Sequence, residues 1–586
     1  MCGIFSLLNF SRDGNKSINK EFIINEFMKG KKRGPENSVM DTVSIDLEFG
    51  FHRLAINGLN NTSNQPIKIN NIILICNGEI YNYKELYEDL GIEKTTDSDC
   101  EIIIHLYEKY GIDYTLEILD GVFAFSLLDN NPEETKLFIA RDPYGVRPLY
   151  KMYKKDKEKV YAFASEMKMM NNICDKLDDN YIIEHFKPGT YEAYYYPHKV
   201  FSKWKFEYSK IYFKMGFSST RYNYKIKDIN LDDDIMYRNI LSNIRLHLTN
   251  SVYKRCECTE RPIACLLSGG LDSSLITALV CEYRKRNNLG PVETYSIGMK
   301  GSTDLGYADL TARYLGTNHT TIELSEEDFI KAIPEVIYSI ESYDTTTVRA
   351  SIGNYLISKY ISENSEAKVI FNGDGSDELT GGYLYLNKAP NKIEFDRECR
   401  RLLQDIHKYD VLRSDKSISS NGLEPRTPFL DKSFTQYYLS LPQDIRYLGG
   451  KNKFFEKYKN IEKFLLRAAF DSSLSNSLPI LPETILWRRK EAFSDGVSQC
   501  NRSLNEIIEE YIDKENLVEN RNHIFNMPKT KEQMYYRNIF EDNYKDKSNI
   551  IPYFWMPKFV KDVNDPSARK LEIYQECNYK YKESSL

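Results

Sequence analysis

This chain of 586 residues does without C-x-x-C pairs, long apolar runs and more than three tryptophans. Its eleven cysteines are spread along the chain, and the one close pair, Cys256 and Cys258, has no second pair at zinc-site spacing. A disulfide framework and a structural zinc are excluded, and a reducing compartment is indicated. No apolar run approaches the roughly 20 residues that cross a bilayer, which excludes a spanning helix. The net charge of −6 is small for the length and excludes a general polyanion-binding role. No charged-then-apolar leader precedes Met1-Cys2. A soluble, cytosolic protein with neither nucleic-acid nor membrane partners is expected. Tyr outnumbers Trp by 44 to 3, and Lys, Asn and Ile are abundant. That bias fits A/T-rich codons, so the Tyr-, Phe- and Lys-dense stretch at 190–230 is read as composition, not as a nucleic-acid surface.

What is present is enough apolar residue, 41%, to fold a chain that is too long for one core. From residue 3 to about 185 short β-like runs dominate: Gly3–Leu8, Val43–Phe49, Phe51–Ile56, Ile72–Cys76, Gly121–Leu128, Lys136–Ala140 and Tyr161–Ala164. Helical patterns cover Tyr83–Leu90 and Asp99–Tyr110, where Ile102, Ile103, Leu106 and Tyr110 share a face. This predicts an α+β N-terminal domain, residues 1–188, with two antiparallel sheets under helix cover. Residues 189–232 show no clear period and are expected to form an interdomain connection. Asp232-Asp233-Asp234 then opens a helix with the stripe Ile240, Leu241, Ile244, Leu248 and Val252.

Beyond it, strands at Ile263–Leu267, Thr294–Gly298, Thr320–Glu323 and Lys368–Phe371 alternate with helices at Leu271–Tyr283, Ala308–Leu315, Phe329–Tyr338 and Ala350–Tyr360. The alternation predicts an α/β C-terminal domain, residues 233–586, with a parallel sheet and helices on both faces. Ligands then belong at the carboxyl ends of the strands.

Three places carry chemistry. Removal of Met1 would give Cys2 both a thiol and the free α-amine, whose pKa of about 7.7–8.0 leaves a neutral fraction able to take a proton. Any uncleaved extension would acylate that base. The turn Ser268-Gly-Gly-Leu-Asp-Ser-Ser274 joins a strand to a helix, and its glycines, hydroxyls and helical N–H groups suit a phosphate. It lacks the Gly-Lys-Ser/Thr ending of a Walker loop. A second acidic turn, Asn372-Gly-Asp-Gly-Ser-Asp-Glu378, follows another apolar strand, so Asp272 and Asp377 can share a Mg²⁺.

Ser268–Ser274 resembles the pyrophosphate loop of ATP pyrophosphatases. Nearly the whole chain, apart from about 190–230 and parts of the last 80 residues, is similar to the glutamine-hydrolysing asparagine synthetases (class B). In the C-terminal half the resemblance rests on Tyr343–Ser351, Gly381–Pro390, Glu424–Asp431, Glu462-Lys463 with Leu466-Arg467, Trp487–Val497 and Asp565–Arg569. In the N-terminal half it rests on Phe51–Ile56, Gln65–Ile67, Asn77–Asn82, Thr96–Glu101 and Arg141–Tyr150, which look like an N-terminal-nucleophile glutaminase domain.

The resemblance implies a ligase that makes asparagine from aspartate, ATP and glutamine through β-aspartyl-AMP, releasing AMP, pyrophosphate and glutamate. Cys2 attacks the glutamine amide. Arg53 clamps its α-carboxylate, Glu79 and Asp99 take its α-ammonium, and Asn77 and Gly78 supply an oxyanion hole. Leu266, Ile297, Asn372 and Gly373 line the adenosine site. Ser268, Gly269, Gly270 and Ser273 hold pyrophosphate, with Asp272 and Asp377 on Mg²⁺. Thr346, Thr347 and Arg349 organise aspartate and the intermediate, and Lys463 neutralises departing charge. Two positions depart from many relatives: Asp374 stands for a Glu that is thought to assist adenylate formation, and Asn421 for a Trp. Two other readings stay open, an enzyme of the β-lactam synthetase or peptide cyclase kind, and a non-catalytic glutamine sensor. A homodimer is left open as well.

Overall fold

The computed structural model describes residues 1–10, 18–154, 160–177, 180–199, 202–215, 234–447, 461–475, 477–490, 496–498, 502–519, 521–561 and 563–567. Twelve strands form the N-terminal half. They are β1 (Gly3–Leu8), β2 (Asn37–Ser44), β3 (Leu47–Arg53), β4 (Ile67–Ile69), β5 (Ile72–Ile80), β6 (Gly121–Asn130), β7 (Thr135–Arg141), β8 (Tyr150–Lys154), β9 (Tyr161–Ala164), β10 (Tyr181–His185), β11 (Thr190–Tyr196) and β12 (Lys205–Ile211). They make two antiparallel sheets, ordered β10-β8-β9-β1-β3-β2 and β12-β11-β7-β6-β5-β4.

Side-chain alternation fixes the layering. Ile4 and Leu8 of β1 meet Ile75, Ala124, Leu128 and Ile139 between the sheets, while Phe5 and Leu7 face outward onto Phe27 and Met167. On the far side of the second sheet, Leu74, Cys76 and Ile80 pack under Ile102, Ile103 and Leu106 of the helix Ile102–Ile118. Both faces of Ile72–Cys76 are therefore largely covered, which is why that part of β5 reads as a continuous apolar run.

Three expectations are corrected here. The run Val43–Phe49 is a hairpin, not a strand: Asp46, at φ +53°, turns the chain between β2 and β3, a backbone that Asp tolerates. The connection expected at 189–232 begins with two strands of the second sheet. In β11, Tyr191 and Ala193 face one core while Tyr194 and Tyr196 face the other. Aromatic rings serve both faces, so no polar alternation marked the strand. The rest of that stretch, from 216 to 233, lies outside the described residues. The helix expected at Phe329–Tyr338 is two, Glu326–Lys331 and Ile333–Ile340. Pro334 enters the first turn of the second, where its missing N–H does no harm.

The C-terminal half is built on β13 (Ile263–Leu266), β14 (Glu293–Met299), β15 (Asn318–Leu324), β16 (Val369–Phe371) and β17 (Glu424–Arg426), all parallel, in the order β15-β14-β13-β16-β17. The chain winds outward from β13 through β14 to β15, then returns to the other side of β13 through β16. The loops after β13 and β16 thus open side by side at the switch point, where α/β sheets bind ligands. The short strand β17 was not expected, because Pro425 sits inside it; the sheet edge admits it there. The long helix Asp234–Glu257 buries Leu241, Ile244, Leu248 and Val252 as its stripe predicts.

Candidate active sites

Strand β5 and the start of β1 build the first site. Asn77 and Glu79 point to the same face of β5 as Ile75, toward the first sheet. Cys2 precedes β1, and its Sγ donates to the Leu54 carbonyl at 3.6 Å. Asn77 Nδ2 donates to Ser165 Oγ at 3.4 Å, and that hydroxyl also accepts from Ile4 N at 3.0 Å, so Asn77 is tied to the strand that carries Cys2. Its Oδ1 is buried with no partner among the described residues. Gly78 must be glycine, since a Cβ there would lie 2.4 Å from Val122 O.

Met1 is buried with its amine, which burial lowers to about 6, and burial pushes the Cys2 thiol up to about 11. With Met1 in place the thiol is therefore protonated at neutral pH.

Glu79 and Asp99 converge. Asn57 Nδ2 donates to Glu79 Oε2 at 2.7 Å and to Asp99 Oδ1 at 3.4 Å, and Asp99 Oδ2 accepts from Ile80 N at 2.7 Å. Burial raises Glu79 well above the carboxylate range, with Asp99 adding to it, and burial pushes Asp99 up to about 6. Two desolvated carboxylates side by side are a seat for a small cation such as an α-ammonium. Arg53 donates to Asn60 O at 2.9 Å, to Asn64 Oδ1 at 2.6 Å and to Gly58 O, so its fork bears on the loop 58–64. Asn57, the thiol of Cys258 and the guanidinium of Arg426 also border this seat, and sequence reasoning missed all three. Asn57 followed an apolar run without a motif, and the other two come from the far half of the chain.

The second site is an open cleft at the switch point. It is lined by Leu266, Ser268, Gly270, Asp272, Ser273, Ile297, Thr346, Asn372, Gly373, Asp374, Asp377 and Lys463. Gly269 turns the loop at φ +72°, and a Cβ there would lie 2.5 Å from Ala308 N. Gly373 lets the two loops touch, since its Cβ would come within 2.7 Å of Asp272 Cβ. Ser268 N donates to Ser273 Oγ at 3.2 Å, which folds the loop over the first turn of the helix Leu271–Arg286.

The ammonium of Lys463 bridges Asp272 and Asp377, 2.5 Å from Asp377 Oδ1, and Lys490 pairs with the other oxygen of Asp377. These two cations hold the Asp377 carboxyl below its usual range against burial. Lys463 adopts φ +60° at the head of the helix Phe464–Phe470, a strained backbone that aims its side chain at the carboxylates.

The cleft corrects one expected group. Thr346 lines it, but Thr347 is turned to the N-cap of its own helix, donating from N and from Oγ1 to Asp344 Oδ1 at 2.9 and 2.8 Å. The guanidinium of Arg349 is held by Glu532 and Asp565, with Nε 2.7 Å from Glu532 Oε1. Neither Thr347 nor Arg349 is among the lining residues. Four other arginines, Arg413, Arg467, Arg488 and Arg489, do line the cleft, and Arg413, on the helix Asp410–Ser419, has Nη2 2.9 Å from Asp374 Oδ1. Asp410-x-x-Arg413 reads in sequence as an ordinary exposed helical pair, so only the fold reveals it. Asn421 closes the end of that helix, donating to Ser417 O at 3.1 Å and to Tyr355 O at 3.3 Å.

Known families account for both halves. The glutamine amidotransferase domain model matches residues 1–213, which takes in β11 and β12. The asparagine synthase model matches residues 243–394 and 387–556. The chain is 41% identical over 600 residues to asparagine synthetase [glutamine-hydrolyzing] of Gallus gallus, covering 98% of this chain and 99% of that protein. The proteins of the same name from Cricetulus griseus and Homo sapiens are 41% and 40% identical, with the same coverage.

Proposed function

Given that the chain belongs to the glutamine-hydrolysing asparagine synthetases, we propose a division of the reaction between its two sites. It makes asparagine from aspartate, driven by ATP, with ammonia taken from glutamine.

In the first site Glu79 and Asp99 take the α-ammonium of glutamine and Arg53 its α-carboxylate, exchanging its loop carbonyls for that fork. Cys2, once Met1 is removed, attacks the side-chain amide. Its own amine takes the thiol proton and passes it to the departing nitrogen. Asn77 Nδ2 and Gly78 N–H receive the oxyanion. Water then cleaves the thioester, giving glutamate.

In the second site the adenosine lies between Leu266, Ile297, Asn372 and Gly373, and the phosphates lie on Ser268, Gly269, Gly270 and Ser273. The β-carboxylate of aspartate attacks the α-phosphorus, and pyrophosphate leaves. Lys463 and Lys490 counter its charge. Ammonia then displaces AMP from β-aspartyl-AMP. Arg413 and Thr346, rather than Arg349 and Thr347, face the amino acid. The donor chemistry of Asp272 and Asp377 fits Mg²⁺, because two carboxylates from separate loops already converge on one cation, Lys463. Bound there, the metal would neutralise phosphate charge.

The glutaminase unit is taken to end with β12 and the synthetase unit to start with the helix Asp234–Glu257. The setting is taken to be cytosolic; among the described residues no helix is long and apolar enough to cross a membrane. The observation that carries this reading is the abutment of the two loops at Gly373. Its test is synthesis from ATP, Mg²⁺, aspartate and amide-¹⁵N glutamine. Labelled asparagine and pyrophosphate should form in equal amounts. Pyrophosphate formed only with another acid, or with none, would overturn it.

A further inference from the structure

Arg426 touches both sites. Its backbone carbonyl, at the end of β17, accepts from Asn372 N at 3.1 Å, the first residue of the loop after β16. Its guanidinium crosses to the glutamine pocket. There Nη1 donates to Arg255 O at 2.7 Å and Nη2 to Cys258 O at 2.8 Å, while Glu424 Oε1 lies 2.8 Å from Nε and from Nη2. The longest of its contacts is Nη2 to Glu79 Oε2, at 3.4 Å.

We propose that Arg426 is a positioning residue that couples occupancy of the nucleotide cleft to the affinity for glutamine. The inference rests on the reading that Glu79 helps to hold the substrate ammonium. Three features carry it. First, β17 is a three-residue edge strand paired to β16 in register from Val369–Glu424 to Phe371–Arg426, and the hydrogen bond from Asn372 N to Arg426 O closes the carboxyl end of that ladder. The carboxyl end of the strand follows Asn372. Second, Asn372 is a cleft residue that is also held by Ser414, its Nδ2 donating to Ser414 Oγ at 2.8 Å. A ligand that draws Asn372 into the cleft draws the Arg426 carbonyl with it. Third, Arg426 is buried, and the Glu79 contact is its weakest, so it is the first to lengthen. A longer contact releases Glu79 toward the substrate ammonium, because the two cations compete for one carboxylate.

Nucleotide should therefore tighten glutamine, and by linkage glutamine should tighten nucleotide by the same factor. The experiment uses the full chain with Mg²⁺ and α,β-methylene-ATP, which cannot be cleaved at the α,β position. In the native protein the KM for glutamine hydrolysis should fall at least about fivefold when the analogue saturates. In Cys2→Ala, which cannot turn glutamine over, glutamine should lower the Kd of the analogue by a similar factor. Arg426→Lys keeps the charge and loses the fork, and should bring the factor to about one. Should that variant fail to fold, Glu424→Gln loosens the same guanidinium at constant volume and should lower the factor too. A native factor near one, or a full factor in a folded Arg426→Lys or Glu424→Gln protein, would overturn the coupling. Glu79→Gln separates the underlying reading. A glutamine KM raised at least about tenfold supports Glu79 as the ammonium partner, and an unchanged KM removes that reading and the coupling with it.

Discussion

Asp374 gives one carboxylate oxygen to Arg413, Oδ1 at 2.9 Å from Nη2, and leaves Oδ2 buried with no partner among the described residues. Burial raises this carboxyl and Arg413 opposes the rise. A buried charge with an unmatched oxygen costs stability and persists where a ligand completes it. The pair is thus a part of the cleft that a ligand would complete, and the proposed place for the amino acid and its adenylate.

Asp374→Asn keeps the shape and loses the charge. Synthesis from either nitrogen donor should fall by about 10²-fold or more, with glutamine hydrolysis retained. Asp374→Glu should leave synthesis unchanged or faster, since it restores the longer side chain of many relatives. Steady-state pyrophosphate release measures both, and a slower Glu variant would show that the cleft is shaped around the shorter acid.

Lys463→Ala leaves Asp272 and Asp377 facing each other without their shared ammonium. The apparent stability of the synthetase half, read by thermal melting in EDTA, should drop by an amount of order 3 kcal/mol. Mg²⁺ should restore more of the melting temperature in the variant than it adds in the native protein. Synthesis should fall about 10²–10³-fold, as for loss of a group that meets developing charge. Equal Mg²⁺ shifts in the two proteins would mean that the carboxylates do not share a cation.

As the proposed partner of the glutamine ammonium, Asp99 should set a pH limit on glutamine use. Its folded pKa is raised from 3.8 to about 6 by burial. The neutral acid is favoured in the fold, so the associated stability is fully present below the unfolded pKa. It is lost as pH rises from about 4 to about 6. Asp99→Asn should therefore melt higher than the native protein at pH 8, by about 1–3 kcal/mol, and show little difference at pH 4. Catalysis runs the other way, because only the carboxylate holds an ammonium. The KM for glutamine should climb as pH falls below about 6, and a flat KM down to pH 5 would remove Asp99 from the site.

Much of this was legible in the sequence for a physical reason. Apolar runs closed by glycine-rich, acidic turns announce buried parallel strands with loops at their carboxyl ends, and Ser268–Ser274 and Asn372–Glu378 do lie together. Asn77 and Glu79 share a face of β5, but the strand was expected to end at Cys76, before the polar residues that carry the site. Less visible were β11, whose tyrosines satisfy two cores at once, and β17, hidden by Pro425. Groups whose meaning depends on a distant partner were not legible at all. Arg349 looked like a cleft cation until Glu532, 183 residues away, was found to hold it. Arg413 and Arg426 looked ordinary until the fold brought Asp374 and Glu79 to them.

The account as a whole turns on one separation of activities, measured in Cys2→Ala by following asparagine formation with glutamine and then with an ammonium salt. With glutamine, synthesis should disappear. With ammonium it should stay within about twofold of the native rate, because the thiol lies outside the cleft that activates aspartate. Loss of both activities in a folded protein, or synthesis from glutamine that survives the substitution, would contradict it.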